Sequence, residues 1–380
     1  MPKKAKAPPA PALHPAPFPR ISYPTNIGLG LTTLEELRVI KSALGAQVSA
    51  RFGECVGEGL LELDLAELEL DELPDELRGI PWLHVIDLNG NELRMDSLRA
   101  SLLSKSVLPE LRSASLKFNC LVGPLPTELG ELSPHMEELS FEGNLISHVP
   151  ESLGRLSRLE WLCLANNRLL DLPGSVFTAW SESLKHLDLR GNLLTSIPAE
   201  LGACGALEVL LVSDCLLSHL PETLGGCTSL AVLAAARNAL TEIPTTLVNC
   251  GALEVVDLTA NKLTILPGEV VVGWRGLKEL LVSNNALLAL PEETGTLSQL
   301  EILAASNNQL SSLPSTLGNC TALRELYLQA NKSLNALPEA IGGWAHLHTL
   351  ILKACKFKTL PLFVFWTVSA SSRENIPSYI

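Results

Sequence analysis

The chain has 380 residues, a formal charge of −13, and 47% apolar but only 4% aromatic residues. An acidic body with no basic stripe interleaved with aromatics argues against nucleic acid as a partner. The apolar stretch Phe357–Val368 is far too short to span a bilayer, and no membrane segment is expected.

Residues 1–32 form the first segment. They are rich in proline and alanine and carry Lys3, Lys4, Lys6 and Arg20 with no acid. Proline excludes a regular helix or a central strand, so an extended basic tail is expected, able to lie along an acidic partner. No apolar run follows the lysines, which argues against a secretory leader. Residues 33–59 are read as an N-terminal capping region. Thr33 and Glu36 fit a capping box, Leu34, Leu37, Ile40 and Leu44 share a face, and Gly45 can end the helix.

Residues 60–361 repeat one pattern. Leu159–Pro173 reads LEWLCLANNRLLDLP, and Leu184–Pro198, Leu253–Pro267 and Leu277–Pro291 follow it closely. Thirteen copies begin at Leu60, Leu83, Leu111, Met136, Leu159, Leu184, Leu207, Leu230, Leu253, Leu277, Leu300, Leu323 and Leu347. Self-similarity at this period is the signature of a leucine-rich repeat solenoid. The fold class is therefore α/β, a curved horseshoe with a parallel inner sheet of about thirteen strands and short helical or 3₁₀ turns outside. Within each L-x-x-L-x-L, inward leucines alternate with outward variable residues, the period of a short strand. Leu162 and Leu164 should point in, and Trp161, Cys163 and Ala165 out.

Asparagine follows at a fixed place. Asn91, Asn119, Asn144, Asn167, Asn192, Asn238, Asn261, Asn285, Asn308 and Asn331 fill it, Cys215 and Cys355 substitute, and Leu68 stands there in the first copy. A primary amide donates and accepts, so a stack of amides can satisfy backbone groups that lose ladder partners where the chain leaves the strand. Proline then turns the chain toward the return path, from Pro74 to Pro361. The long step through Arg94–Pro109 should hold extra helix. Residues 362–380 are read as a C-terminal cap and polar tail.

Cys204, Cys227, Cys250 and Cys320 recur at a slot that Leu132, Leu156, Leu297, Trp180, Trp274 and Trp344 also occupy, which points to a buried apolar site rather than a metal site. Nine cysteines, an odd count, favour reduced thiols in an intracellular compartment. No phosphate loop, nucleophile elbow or zinc-protease motif is present, and no cofactor, metal or catalytic residue is assigned. Gly28 and Gly30 follow no strand, and the triplets starting at Asn319 and Asn331 are read as coincidental glycosylation matches. His186 and Asp188 share the inner face and are read as a salt bridge or surface pair rather than an acid–base dyad.

Outward strand positions are not dictated by packing, so they are the candidate partner-binding residues. They are Trp161, Cys163, His186, Asp188, Val209, Leu211, Val232, Ala234, Val255, Asp257, Leu281, Ile302, Ala304 and Tyr327. Repeats seven to eleven look unusually apolar, and an exposed apolar patch marks an interaction site.

The consensus L-P-x-x-L-G-x-[LC]-x-x-L-x-x-L-x-L-x-x-N-x-L over residues 60–361 resembles intracellular leucine-rich repeat proteins of the Ras-group type, including the plant Ras-group-related and Ras-pathway scaffold proteins. That resemblance implies a non-enzymatic protein–protein scaffold, in some relatives for small GTPases or phosphatases. Two functions are expected on this basis. One is a structural subunit of an intracellular, cytoplasmic assembly such as a cytoskeletal or ciliary complex. The other is a signalling adaptor that regulates an enzyme on a separate chain.

Overall fold

The computed structural model describes residues 47–51, 55, 60–100, 107–340 and 344–357. The chain divides into two units, Met1–Gly45 and Ala46–Ile380, and the second contains all the described residues. The tail at 1–32, the expected helix over 33–45 and the segment 362–380 lie outside the described residues.

Alternation of leucine with variable residues produces strands of three residues, such as Trp161–Cys163, Val209–Leu211 and Val232–Ala234. Thirteen of them form one parallel sheet in which the order across the sheet follows the chain. Its register is uniform. Leu162 pairs with Leu187, Leu187 with Leu210, and Leu210 with Leu233. Each central leucine is buried, and so is the leucine that follows the strand, for example Leu164 and Leu189 at 0% exposure. One strand could not bury this face alone; each copy supplies the wall for its neighbour.

The return path is short. Most repeats carry a single 3₁₀ turn after the proline, as in Glu151–Arg155, Ala199–Ala203 and Glu222–Gly226. α-Helix replaces it at Gly174–Ala179 and Gly268–Val271, and the long step holds Met95–Ala100. Glycine is required where these turns stack. A Cβ on Gly202 or Gly225 would overlap the carbonyl oxygen of Thr223 or Thr246 in the next repeat.

Two hydrogen-bond columns tie the repeats together. In the first, Asn167 Nδ2 donates to Phe141 O at 2.9 Å and to Leu164 O at 3.1 Å, while its Oδ1 accepts from Ile146 N at 3.0 Å. Asn91, Asn144, Asn192, Asn238, Asn261, Asn285 and Asn308 do the same in their repeats. Asn331 Nδ2 donates to Ala305 O, and Asn119 Oδ1 accepts from Leu93 N. Cys215 breaks the column. Its thiol donates weakly to Leu189 O at 3.4 Å, and Leu194 N, in a fully buried residue, has no counterpart among the described residues of the bond from Leu217 N to Asn238 Oδ1.

The second column runs on the convex side, at the slot read from sequence as merely apolar. Trp180, Trp274 and Trp344 each donate Nε1–H at 3.1 Å to a carbonyl of the preceding repeat, those of Leu156, Leu247 and Leu317. Cys227 and Cys320 Sγ reach Leu201 O and Thr294 O at 3.3 and 3.2 Å. Cysteine and tryptophan alternate here because both are apolar bodies with one donor. Burial holds these thiols protonated: Cys204 and Cys250 are pushed up to about 11, Cys227 and Cys320 to about 12.

Candidate interaction surface

The first and third residues of every strand face away from the leucine core, so the sheet register sorts them into rows. Val209, Val232 and Val255 stand side by side, continued by Glu279, Ile302 and Glu325. The second row runs Cys163, Asp188, Leu211, Ala234, Asp257, Leu281, Ala304, Tyr327. All fourteen candidate positions therefore fall on two adjacent rows of one face.

None of them is fully exposed. Leu211 and Val255 keep 9% of their surface and Ala234 keeps 5%, while Val209, Val232, Leu281, Ile302 and Ala304 are half-buried. Ala165, expected to point out, is buried at 1%. The expectation of an exposed apolar patch is corrected to a trough whose side chains shield one another. Parallel strands about 4.8 Å apart bring same-face side chains into lateral contact, so each covers its neighbour's flanks.

The middle repeats differ from sequence expectation in a second way. Trp161 and His186 stack, with ring centroids 3.3 Å apart and planes at 9°. Burial under that indole lowers the His186 pKa to about 4, so the imidazole is neutral near pH 7. Asp188 does not bond His186. Both its oxygens are taken by Arg190, Oδ2 at 2.6 Å from Nη2 and Oδ1 at 2.9 Å from Nε. His186 and Asp188 are thus neither a mutual salt bridge nor a surface pair: both are buried, and the adjacent guanidinium has outcompeted the imidazole for the carboxylate. Neighbouring Cys163 is pushed up to about 11, first by burial and then by Asp188, which leaves it no nucleophilic thiolate.

Repeats three to six meet most of their polar needs internally. Ser113 Oγ donates to Glu138, Ser115 Oγ to Asn89 Oδ1, and Lys117 Nζ lies 3.4 Å from Glu142. Repeats nine to twelve do so less. Asp257, Glu279 and Glu325 stand on the apolar rows, and Glu279 has no ion-pair partner among the described residues. Its pKa is raised by burial and then by Glu325, Glu301 and Asp257. Just outside the strands a column of charge pairs stitches repeat to repeat: Lys185–Glu160 and Lys278–Glu254 at 2.7 Å, Arg324–Glu301 at 3.4 Å. These are solvent-screened and add little stability each.

The candidate set omitted Glu279 and Glu325, because a charged residue at a strand start reads as an ordinary surface position. It also missed an exposed flank: Phe118, Val122, Leu145, Leu170, Leu193 and Leu216 are each at least 39% exposed. Val122 and Leu145 pair there in a separate two-stranded sheet. The legible signal was a leucine immediately after the asparagine slot in several copies.

The leucine rich repeat family model matches residues 157–217 and 275–332. A leucine-rich repeat protein of Leptospira interrogans is similar at 26% identity and TM-score 0.65, covering 85% of this chain and 88% of that one. YopM from Yersinia enterocolitica is similar at 26% identity and TM-score 0.59, covering 87% and 66%. The plant peptide hormone receptor RGFR1, solved in complex with RGF2, is similar at 26% identity and TM-score 0.63, covering 79% of this chain and 52% of that one. The chain thus spans about half the length of that receptor. No curated protein matches. The parallel sheet, the repeat match and these neighbours define a leucine-rich repeat solenoid. Units of this kind are generally non-enzymatic modules of protein–protein interaction. Among the described residues no helix is long and apolar enough to cross a membrane.

Proposed function

We propose that this protein is a non-enzymatic scaffold that holds a partner's apolar element along the concave rows of repeats seven to eleven, as a structural subunit of an intracellular assembly. The observation that carries the reading is the in-register run Val209, Val232, Val255 beside Leu211, Ala234 and Leu281. These residues lie on the sheet face opposite the central strand leucines Leu210, Leu233 and Leu280, which are buried at 0–1%. An apolar face lends itself to obligate interfaces more than to transient ones. The unpaired state of all nine cysteines and the L-P-x-x-L-G consensus support a reducing, cytoplasmic setting and the Ras-group type.

The test is native purification with crosslinking and mass spectrometry, on the wild type and on Leu211→Glu with Leu281→Glu. A partner held at fixed stoichiometry through high salt, crosslinked to repeats seven to eleven and lost in the folded double variant, is the expected result. Unchanged capture by a variant with an unaltered unfolding midpoint overturns the reading.

A further inference from the structure

Repeats nine to twelve give the concave trough a chemical bias. Glu279 and Glu325 sit in the same row with Ile302 between them. Two strand spacings place them about 10 Å apart. Asp257 stands diagonally from Glu279, beside Leu281. The cations nearest in the pattern are already used: Lys278 bonds Glu254, and Arg324 bonds Glu301. Glu325 accepts one hydrogen bond from Tyr327 Oη at 2.6 Å, and Glu279 accepts none among the described residues.

Two more polar atoms, just past the ends of these strands, are unmet. Ser306 is 2% exposed, and its Oγ has no hydrogen-bond partner; neither does Gln329 Oε1. Strand alternation puts Ser306 on the face of Ile302 and Ala304, since Leu303 and Ala305 are in the core. The patch therefore offers carboxylates beside apolar side chains, with the neighbouring cations Lys278 and Arg324 engaged elsewhere.

We propose that the trough from the strand Val255–Asp257 to the strand Glu325–Tyr327 docks a partner segment that presents arginine or lysine among apolar side chains. The cation sits between Glu279 and Glu325, and the apolar side chains lie on Leu281, Ile302 and Ala304. Arginine suits the place best, because its planar fork presents several donors to carboxylates and is weakly hydrated. This rests on the scaffold reading and adds the partner's chemistry to it.

The probe is a short fluorescein-labelled peptide in which leucine and arginine alternate, read by fluorescence anisotropy on the full chain. Two further peptides replace arginine with glutamine, or leucine with serine. The alternating peptide should bind at least tenfold tighter than either. Glu279→Gln with Glu325→Gln should remove most of that advantage. Glu128→Gln with Glu151→Gln, the same charge change on the convex turns, should not. Equal weakening by both pairs means net charge alone attracts the peptide and overturns the proposal, as does an unaffected Glu279/Glu325 variant. Failure of all three peptides to bind also overturns it. Loss of binding in Leu281→Glu together with full binding in the Glu279/Glu325 variant leaves the scaffold reading standing and removes only the cation. Displacement of the probe by a peptide of residues 1–32 assigns the trough to this chain's own basic segment and overturns a partner in trans.

Discussion

The concave rows of repeats three to six and of repeats nine to twelve share one backbone and differ in how polar groups are met. In the first region the charged groups find partners within the chain, Arg190 for Asp188 and Lys117 for Glu142, although Ser140 Oγ is buried without one. In the second, Glu279, Ser306 Oγ and Gln329 Oε1 are left without them among the described residues. The fold tolerates either, because the leucine core and the asparagine column carry the stability. A self-satisfied face is closed chemistry; an unsatisfied one is where a second molecule has something to add. Cys215, the break in the asparagine column, falls between the two regions.

The largest effect that separates them is pH dependence through His186. Its folded pKa, about 4, is below the ordinary 6.5. The unfolded chain therefore takes up a proton as pH falls through 6.5 while the folded chain does not until about 4. Stability is full above that window and is lost as pH falls across it, by on the order of 3 kcal/mol. Urea titrations at pH 7 and pH 4.5 should show His186→Phe, which keeps the stack on Trp161, losing about 2 kcal/mol less than wild type. Parallel losses in both proteins would mean that burial of this imidazole does not govern the response.

Next is a matched pair of carboxylate removals. Asp188→Ala strips a 4%-exposed carboxylate from Arg190 and should cost about 2 kcal/mol. Asp257→Ala, which relieves repulsion on Glu279, should be neutral or slightly stabilising. Equal costs, measured as shifts in urea midpoint, would erase the distinction between the two faces.

The smallest effect concerns the boundary itself. Cys215→Asn should restore an acceptor for Leu194 N and strengthen the bond to Leu189 O, raising stability by about 1 kcal/mol. A loss instead would show that the amide cannot be seated between Leu189 and Leu194 as it is elsewhere.

Much of this was legible in the residues alone. Repetition of L-x-x-L-x-L-x-x-N at a nearly constant step implies strands, their parallel order and their register, because a leucine that cannot be buried by its own repeat must be buried by the next. The asparagine slot was legible for the same reason: one residue type recurs where backbone groups lose partners. The dual nature of the cysteine and tryptophan slot was not, since burial hides the donor until a carbonyl is seen within reach, as Leu247 O is for Trp274. Nor did the sequence say that His186 would stack on Trp161 while Asp188 turned to Arg190. Repeat period decides which residues are neighbours; rotamers, mutual shielding and competition for one carboxylate are settled only when those neighbours are brought to contact distance. That is why the apolar row could be read from sequence, whereas its half-buried state and its unmet acceptors belong to the tertiary structure.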